Sequence, residues 1–250
     1  IIQHGGHLNK FNLLQDYANG IADIFFSSGL SKGEEKNQFP LGILNKELLY
    51  NKWSPKGNAL IVNVAMHRYA IDIRSMALSG QMLYYFSSIF ELYKNIKKDI
   101  RDNTEIKLYH NDYEWGQEKR FISEFPSIKI IKKNLKLKNL VQKSRIVICT
   151  YNASFYQKTL AANIPTLIYW DEKYWEIPSE YKDDFNDLRS VGIYHNSVDT
   201  LIKVLEENWD DVSQWWNNPG LQNIRINFCH KHYFRNKTVI QDLSEFLNNI

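Results

Sequence analysis

The clearest indication of the fold is the stretch Arg145-Ile146-Val147-Ile148-Cys149-Thr150-Tyr151-Asn152-Ala153-Ser154-Phe155-Tyr156. It starts as an apolar, β-branched run, passes through small polar residues and ends in a helical pattern. A run of this kind, bounded by polar turn residues, is typical of a strand buried in a parallel sheet. Ligands of such sheets bind beyond the carboxyl ends of the strands. We therefore expect Thr150, Asn152 and Ser154 to lie at a ligand-binding edge.

The residues on both sides continue this alternation of apolar runs and helical spacing. Strands are predicted over five segments, which are 59–64, 105–109, 127–131, 145–150 and 165–169. Helices are predicted over 76–99, 115–124, 136–143 and 154–163, and after Trp170 over 178–190, 197–217, 219–232 and 236–249. Ser197 and Pro219 stand where a helix cap and a first-turn residue are favoured. The pattern predicts an α/β fold, a Rossmann-like parallel sheet flanked by helices with a helical C-terminal layer.

The residues before Ala59 follow a less regular pattern, with a candidate strand over 21–28 and a turn-rich stretch over 29–40. We interpret residues 1–56 as the tail of a preceding, mostly absent N-terminal domain together with an interdomain crossover. Residues 57–250 are interpreted as the Rossmann-like domain. The chain opens on Ile1-Ile2 without a Met or a signal-peptide pattern, and we interpret it as a fragment.

The composition excludes several classes of protein. Of 250 residues, 31 are Lys or Arg and 28 are Asp or Glu, and a net charge of +3 is too small for a chain that binds nucleic acid along its length. No apolar run approaches the ~20 residues that cross a bilayer. Two distant cysteines, Cys149 and Cys229, support neither a disulfide framework nor a zinc site. A basic stretch over 129–145 is either a solvated face or an edge that attracts anions.

Two segments are candidates for binding an anion. A helix that begins near Asn152 or Ser154 would present unpaired N–H groups and the positive end of its dipole to a phosphate. His67 and Arg68 follow the strand over 59–64, at the same edge, and an Arg fork suits phosphate. The alternatives are that Asn152 or Ser154 only caps the helix, and that His67 and Arg68 belong to an ordinary surface loop.

Three further segments mix groups that could carry chemistry. In Gln3-His4-Gly5-Gly6, the glycines let the backbone approach a ligand and His4 could act as a base, although such a segment is also common in turns. The segments 112–116 and 171–176 combine carboxylates with aromatic rings, which suits a sugar or a nucleobase, or simply anchors loops to the core. The chain has no GxGxxG, GxxxxGK[ST], GxSxG or HExxH motif, which disfavours dehydrogenases, P-loop NTPases and the common hydrolases.

Six ordered blocks lie between the start and the end of the chain, and together they span almost its whole length: Gln3 to Gly6, Ile21 to Asp23 with Gly29, Thr150 to Thr166, Tyr174 to Glu176, Val191 to Ile193, and Trp209 to Val212 with Trp215-Trp216. In these blocks the chain resembles a family of transferases from bacterial O-antigen and surface-polysaccharide gene clusters. That family is similar in fold to capsule-type sugar transferases, whose two Rossmann-like halves form the GT-B architecture. The chain departs from the family pattern at His7-Leu8 and at Ser28.

The resemblance implies the C-terminal, donor-binding portion of a metal-independent glycosyltransferase. It would move a sugar from a nucleotide-sugar to a growing surface polysaccharide or O-antigen acceptor. The implied roles are donor and phosphate binding by Thr150, Asn152, Ser154, His67 and Arg68, general base for His4 with Glu172 in reserve, and cleft backbone for Gly5 and Gly6. No cofactor is expected, and the short polar loop slightly favours a CMP-linked donor.

Two other functions stay open, a non-catalytic nucleotide- or sugar-binding scaffold and a sugar-nucleotide epimerase. Nucleic-acid binding is disfavoured because the basic stretch lacks interleaved aromatic rings. The expected partners are a nucleotide-sugar, a glycan acceptor and the missing N-terminal domain. The expected location is the cytoplasm, at the inner face of the bacterial membrane, which the aromatic C-terminal helices could contact peripherally.

Overall fold

The computed structural model describes residues 1–3, 13–29, 37–44, 52–69, 75–131 and 135–249. In chain order the elements are α1 (Leu13–Ile21), β1 (Phe25–Ser27), β2 (Gln38–Pro40), β3 (Asn58–Val62), α2 (Gln81–Asn95), α3 (Lys98–Asp102), β4 (Thr104–Lys107), α4 (Gln117–Glu124), β5 (Lys129–Ile130), α5 (Leu137–Lys143), β6 (Ser144–Cys149), α6 (Ser154–Ala161), β7 (Thr166–Tyr169), a 3₁₀ turn (Ser179–Tyr181), α7 (Lys182–Ser190), β8 (Tyr194–His195), α8 (Val198–Asn208), α9 (Val212–Trp216), α10 (Pro219–His232) and α11 (Val239–Asn248).

A six-stranded parallel sheet forms the centre of the molecule, in the order β5-β4-β3-β6-β7-β8. From β3 the chain adds strands towards one edge, and it then returns to the centre with β6 and adds strands towards the other edge. The reversal lies between β3 and β6, where Ala59 is paired with Ile146 and Ile61 with Ile148. In sheets of this kind the crevice at the carboxyl ends of the two central strands is the usual ligand site. The predicted α/β class and parallel sheet are confirmed.

All five strands predicted after residue 57 are present, although most are shorter than predicted. The sheet also contains β8, which the sequence analysis missed because only Tyr194 and His195 form it and His195 is polar. The helix predicted over 76–99 begins only at Gln81 and is followed by the separate α3. The helix predicted over 197–217 is divided because the Asp211 side chain accepts a hydrogen bond from the Gln214 N–H at 3.0 Å and starts α9.

Helix α2 covers one face of the sheet through the apolar stripe that its sequence predicts. Met82, Phe86 and Ile89 are each at most 2% exposed. Phe90 is only partly buried, and its ring meets that of Phe121 edge-on at 4.8 Å. Each fully buried side chain of this size contributes about 1.5–3 kcal/mol relative to exposure, so this stripe alone fixes the helix on the sheet.

The N-terminal residues form a second, smaller unit of structure. Helix α1 occupies residues 13–21, so the candidate strand over 21–28 is confined to β1, which pairs in parallel with β2. A small apolar cluster joins these strands to α11 through Phe26, Leu41 and Val239. At Gly29 an added Cβ would lie 1.9 Å from the Lys231 carbonyl oxygen, so only glycine allows this close approach to α10. The division of the chain near Lys56 stays a prediction.

No helix within the described ranges is both long enough and apolar enough to span a bilayer.

Candidate functional site

The carboxyl ends of β3 and β6 are tied together by a chain of buried hydrogen bonds. The Val64 N–H donates to the Tyr85 hydroxyl at 3.0 Å, the Tyr85 and Thr150 hydroxyls are 2.6 Å apart, and the Thr150 hydroxyl donates to the Val62 carbonyl at 2.8 Å. Thr150 is fully buried, and burial raises the pKa of Tyr85 well above its ordinary value. The Thr150 side chain therefore holds the crevice in shape and does not face a ligand. Tyr85 also holds this crevice in shape, and the sequence did not predict that role because Tyr85 fits the apolar pattern of α2.

The α6 helix begins directly beyond β6 and its first turn carries no side-chain cap. Its N-cap residue is Ala153, in extended conformation with φ −153° and ψ −179°. Asn152, the expected alternative cap, is 2% exposed and accepts a hydrogen bond from the Tyr156 hydroxyl at 3.2 Å. Ser154 is the first helical residue, and its hydroxyl does not cap the helix either. The first-turn N–H groups and the helix dipole therefore point beyond the sheet, and no side chain of the described residues neutralises them.

Asn63, the first residue after β3, lies beside Thr150 in this crevice. Its amide oxygen is 3.5 Å from the Thr150 hydroxyl, and the residue is 1% exposed. Its Nδ2 is a buried donor with no partner in the part of the chain that the structure describes. An unsatisfied buried donor costs about 1–3 kcal/mol, and such groups in native proteins call for a functional or strain-based explanation. Sequence reasoning did not single it out because an asparagine after a strand usually marks a turn.

His67 and Arg68 are exposed and lie against the loop that follows β4. The ring of His67 is 4.2 Å from that of Tyr113. Arg68 donates through Nη1 to the Glu114 carbonyl at 3.0 Å, and its guanidinium lies 5.5 Å from the Trp115 ring centre. The structure thus places both side chains at the carboxyl edge, as predicted, on the β4 side of the crevice.

Glu172 lies beyond the carboxyl end of β7 and is held by two donors. Arg189 Nη2 is 2.6 Å and the Tyr194 hydroxyl 3.0 Å from the same carboxylate oxygen, Oε1. The Arg189 and Glu172 side chains are 39% and 41% exposed, so solvent screens this ion pair. Through these two contacts Glu172 also links Tyr194 of β8 with Arg189 of α7.

His4, Gly5 and Gly6 lie outside the described residues, but the residue before them is firmly placed. The Gln3 amide oxygen accepts from the Ser28 N–H at 2.7 Å, and the Ser28 hydroxyl is 3.0 Å from the His232 carbonyl at the end of α10. His232 Nε2 in turn lies 2.7 Å from Asp184 Oδ2. Burial raises the pKa of Asp184, but hydrogen bonds from His232 and Lys231 outweigh it, and the net pKa is below the ordinary value. Gln3 is therefore joined to the end of α10 through Ser28.

Among the described residues, no three His, Cys, Asp or Glu side chains converge in a way that could hold a metal ion. Both cysteines are buried, and burial raises the pKa of each thiol above its ordinary range. Neither is therefore placed as a thiolate nucleophile.

Comparison with protein families and structures gives one family match. The model described as LIC12162 family transferase matches residues 1–247. None of the curated proteins matches the sequence.

Among solved structures, the chain is similar to the wall teichoic acid polymerase TagF, at 12% identity and a TM-score of 0.47, over 96% of this chain and 60% of TagF. It is also similar to the glycotransferase of kitacinnamycin, at 11% identity and a TM-score of 0.44, over 91% of this chain and 55% of that one. It is similar as well to the spinosyn rhamnosyltransferase SpnG, at 13% identity and a TM-score of 0.42, over 91% of this chain and 57% of SpnG. The chain spans less than two thirds of the length of each of these proteins.

Proposed function

The chain belongs to the LIC12162 family of transferases, and we propose that the group it transfers is a sugar, carried by a nucleotide. The resemblance of the sequence to a transferase family is thereby confirmed. The proposed reaction takes a sugar from a nucleotide-sugar donor and joins it to a growing surface polysaccharide such as an O-antigen. The nucleotide-sugar is the substrate, and no cofactor is part of the proposal.

One observation carries this proposal: the uncapped N-terminus of α6 at the central reversal of the sheet. Breaking the bond between a sugar and a phosphate leaves negative charge on the phosphate oxygen. N–H groups and a helix dipole that already point at this position stabilise the charge as it develops. We propose that they make the transfer metal-independent, with Arg68 adding positive charge from the β4 side.

The acceptor hydroxyl must lose a proton as it attacks the sugar. We propose His4 as the general base, with Gly5 and Gly6 allowing the acceptor to approach the backbone and Glu172 as the reserve base. The hydrogen bonds of Gln3 to Ser28 support this assignment because they anchor the start of the segment. We also propose that a second domain upstream completes the site.

We propose that the protein acts in the cytoplasm, at the inner face of the membrane.

Calorimetric titration with CMP, UDP and GDP tests the donor site directly. We expect one of them to bind, with CMP the preferred ligand, and we expect Ala153→Asp to weaken this binding at least tenfold. The new carboxylate would cap the first-turn N–H groups and repel phosphate, while the helix itself gains about 0.5–2 kcal/mol.

Ala153→Gly is the matched control, since it leaves the N–H groups open and should bind the nucleotide like the parent. A folded parent protein that binds none of the three nucleotides would favour the scaffold alternative. Release of a sugar isomer without an acceptor would favour the epimerase.

A further inference from the structure

A groove of about 650 Å³ lies at the carboxyl end of β4, between the loop 108–116 and the first two turns of α4. This volume is within the range of small-molecule sites. We call it the β4 groove. Neither the proposed phosphate site at α6 nor Glu172 lies in its lining as the described residues form it.

The strongest sign of a ligand in the β4 groove is Gln117, the first residue of α4. Gln117 lines the groove but is only 2% exposed. Its Nε2 is 3.5 Å from the Asn111 carbonyl, whereas its Oε1 is buried without a hydrogen-bond partner within the described ranges. A buried acceptor in this state is costly, and a ligand that donates a hydrogen bond would satisfy it.

The charges of the β4 groove disfavour an anion. Among the described residues, Asp112, Glu114 and Glu118 line it, and Lys119 is the one cation. Asp112 also caps α4, accepting from the Gly116 N–H at 2.7 Å and the Gln117 N–H at 2.8 Å, so this helix end is already neutralised. Most polar side-chain atoms of the described lining are acceptors, which suits a ligand whose polar groups are hydroxyl donors.

The remaining lining is apolar and includes an aromatic ring. Leu108 is buried, Ile122 is 46% exposed, and Tyr109 stands between the strand and the loop. The Tyr109 ring is supported by Tyr113, with ring centres 6.2 Å apart and planes at 22°. A preorganised aromatic ring beside several acceptors matches the two kinds of surface on a pyranose, its C–H faces and its hydroxyl rim.

We propose that the β4 groove binds an uncharged saccharide. The Gln117 amide oxygen accepts a hydrogen bond from a sugar hydroxyl, the exposed carboxylates accept others, and Tyr109 and Ile122 pack against the sugar C–H groups. In the proposed glycosyltransferase, this saccharide is part of the acceptor glycan, which then lies on the donor-binding domain. The identification of the saccharide as the acceptor rests on the proposed function.

Saturation-transfer NMR titrations of the protein with maltotriose, mannotriose and chitotriose, without nucleotide, test this proposal. We expect at least one trisaccharide to bind, and Gln117→Leu to raise its dissociation constant about tenfold. The same variant should keep or raise the melting temperature, because it removes an unsatisfied buried acceptor. A merely structural role for Gln117 would lower it instead.

Gln142→Leu, the same change on the exposed face of α5, is the matched control and should bind like the parent. Glu118→Gln, on the exposed surface of α4, serves as a second groove variant with no risk to folding and should weaken binding several-fold. Absence of binding for all three trisaccharides, or binding that both groove variants leave unchanged, would overturn the proposal.

The nucleotide titrations separate this inference from the proposed function. If Gln117→Leu weakens CMP, UDP or GDP binding, the β4 groove holds a nucleobase and the saccharide proposal is wrong. If nucleotide binding is absent but trisaccharide binding depends on Gln117, the saccharide site stands without the transferase mechanism.

Discussion

Two strand-to-helix junctions at the same edge of the sheet differ in how the helix begins. After β8, Ser197 caps α8, accepting a hydrogen bond from the Thr200 N–H at 3.3 Å. After β6, Ala153 stands at the same position of α6 and offers no cap. The capped junction follows β8, the outermost strand on that side of the sheet. The open junction is at the central reversal, where unsatisfied N–H groups are useful to a ligand.

The difference also appears in how each junction uses its polar side chains. After β8, His195 is 3% exposed, with Nε2 3.0 Å from the Gly192 carbonyl and Nδ1 3.2 Å from the Thr200 hydroxyl. After β6, Thr150 and Asn152 turn into the protein, towards Tyr85 and Tyr156, and leave the helix end alone. The open junction is therefore stabilised by the hydrogen bonds of Thr150 and Asn152 with two tyrosine hydroxyls, and neither side chain covers the first N–H groups of α6.

The largest expected effect concerns the capped junction at low pH. Burial lowers the pKa of His195 to about 4, whereas an unfolded histidine titrates near 6.5. The unfolded chain therefore binds more protons between these values, and the free energy of unfolding should fall by up to about 3 kcal/mol as the pH drops from about 6.5 to about 4.

Urea unfolding at a series of pH values measures this slope, and His195→Asn should flatten it. The Asp184 carboxylate, whose folded pKa is lowered from 3.8, loses its contribution only below about pH 5, so the part of the slope above about pH 5 is the part that tests His195. An equal slope in the parent and in His195→Asn would contradict the buried, neutral state of this histidine.

The second largest effect concerns the hydrogen-bond chain beneath the open junction. Thr150→Val keeps the shape of the side chain but leaves the Tyr85 hydroxyl without its acceptor, so we expect a loss of about 2 kcal/mol. Chemical denaturation measures it. Tyr85→Phe should cost a similar amount, and the double variant should cost less than the sum, because both changes break one chain. Additive losses would show that the two hydroxyls act independently.

The smallest effect compares the two helix starts directly. Ser197→Ala removes a cap and should cost about 1 kcal/mol, whereas Ser154→Ala removes a hydroxyl that caps nothing and should stay within about 0.5 kcal/mol. Thermal unfolding of the two variants side by side gives the comparison. A loss for Ser154→Ala as large as that for Ser197→Ala would mean that α6 is capped in solution.

Much of the fold is predictable from local pattern. The stretch 145–156 predicts a buried strand that runs into a helix, and the structure places β6 and α6 there. Ser197 as a cap and Pro219 as a first-turn residue are confirmed as well, because capping depends on residues that are close in sequence. By contrast, β8 is missed because two residues carry no periodicity, and they form a strand only through their pairing with β7.

The candidate site shows the same limit. The sequence places Thr150, Asn152 and Ser154 at the right edge, but it cannot tell which side chains turn inward. That choice depends on Tyr85 and Tyr156, whose hydroxyls reach this edge only when α2 and α6 are packed on the sheet. That the Gln117 side-chain oxygen lacks a partner among the described residues is likewise seen only in the folded chain, where Gln117 lies beside the loop 108–116.

Local sequence pattern is thus sufficient to predict the α/β class, the strands from β3 to β7 and a helix start beyond β6, since periodicity is a local property. The order of the strands, the central reversal, the open end of α6 and the β4 groove are properties of the folded chain. These depend on contacts between residues that are far apart in the chain, and such contacts leave no periodic signal in the sequence.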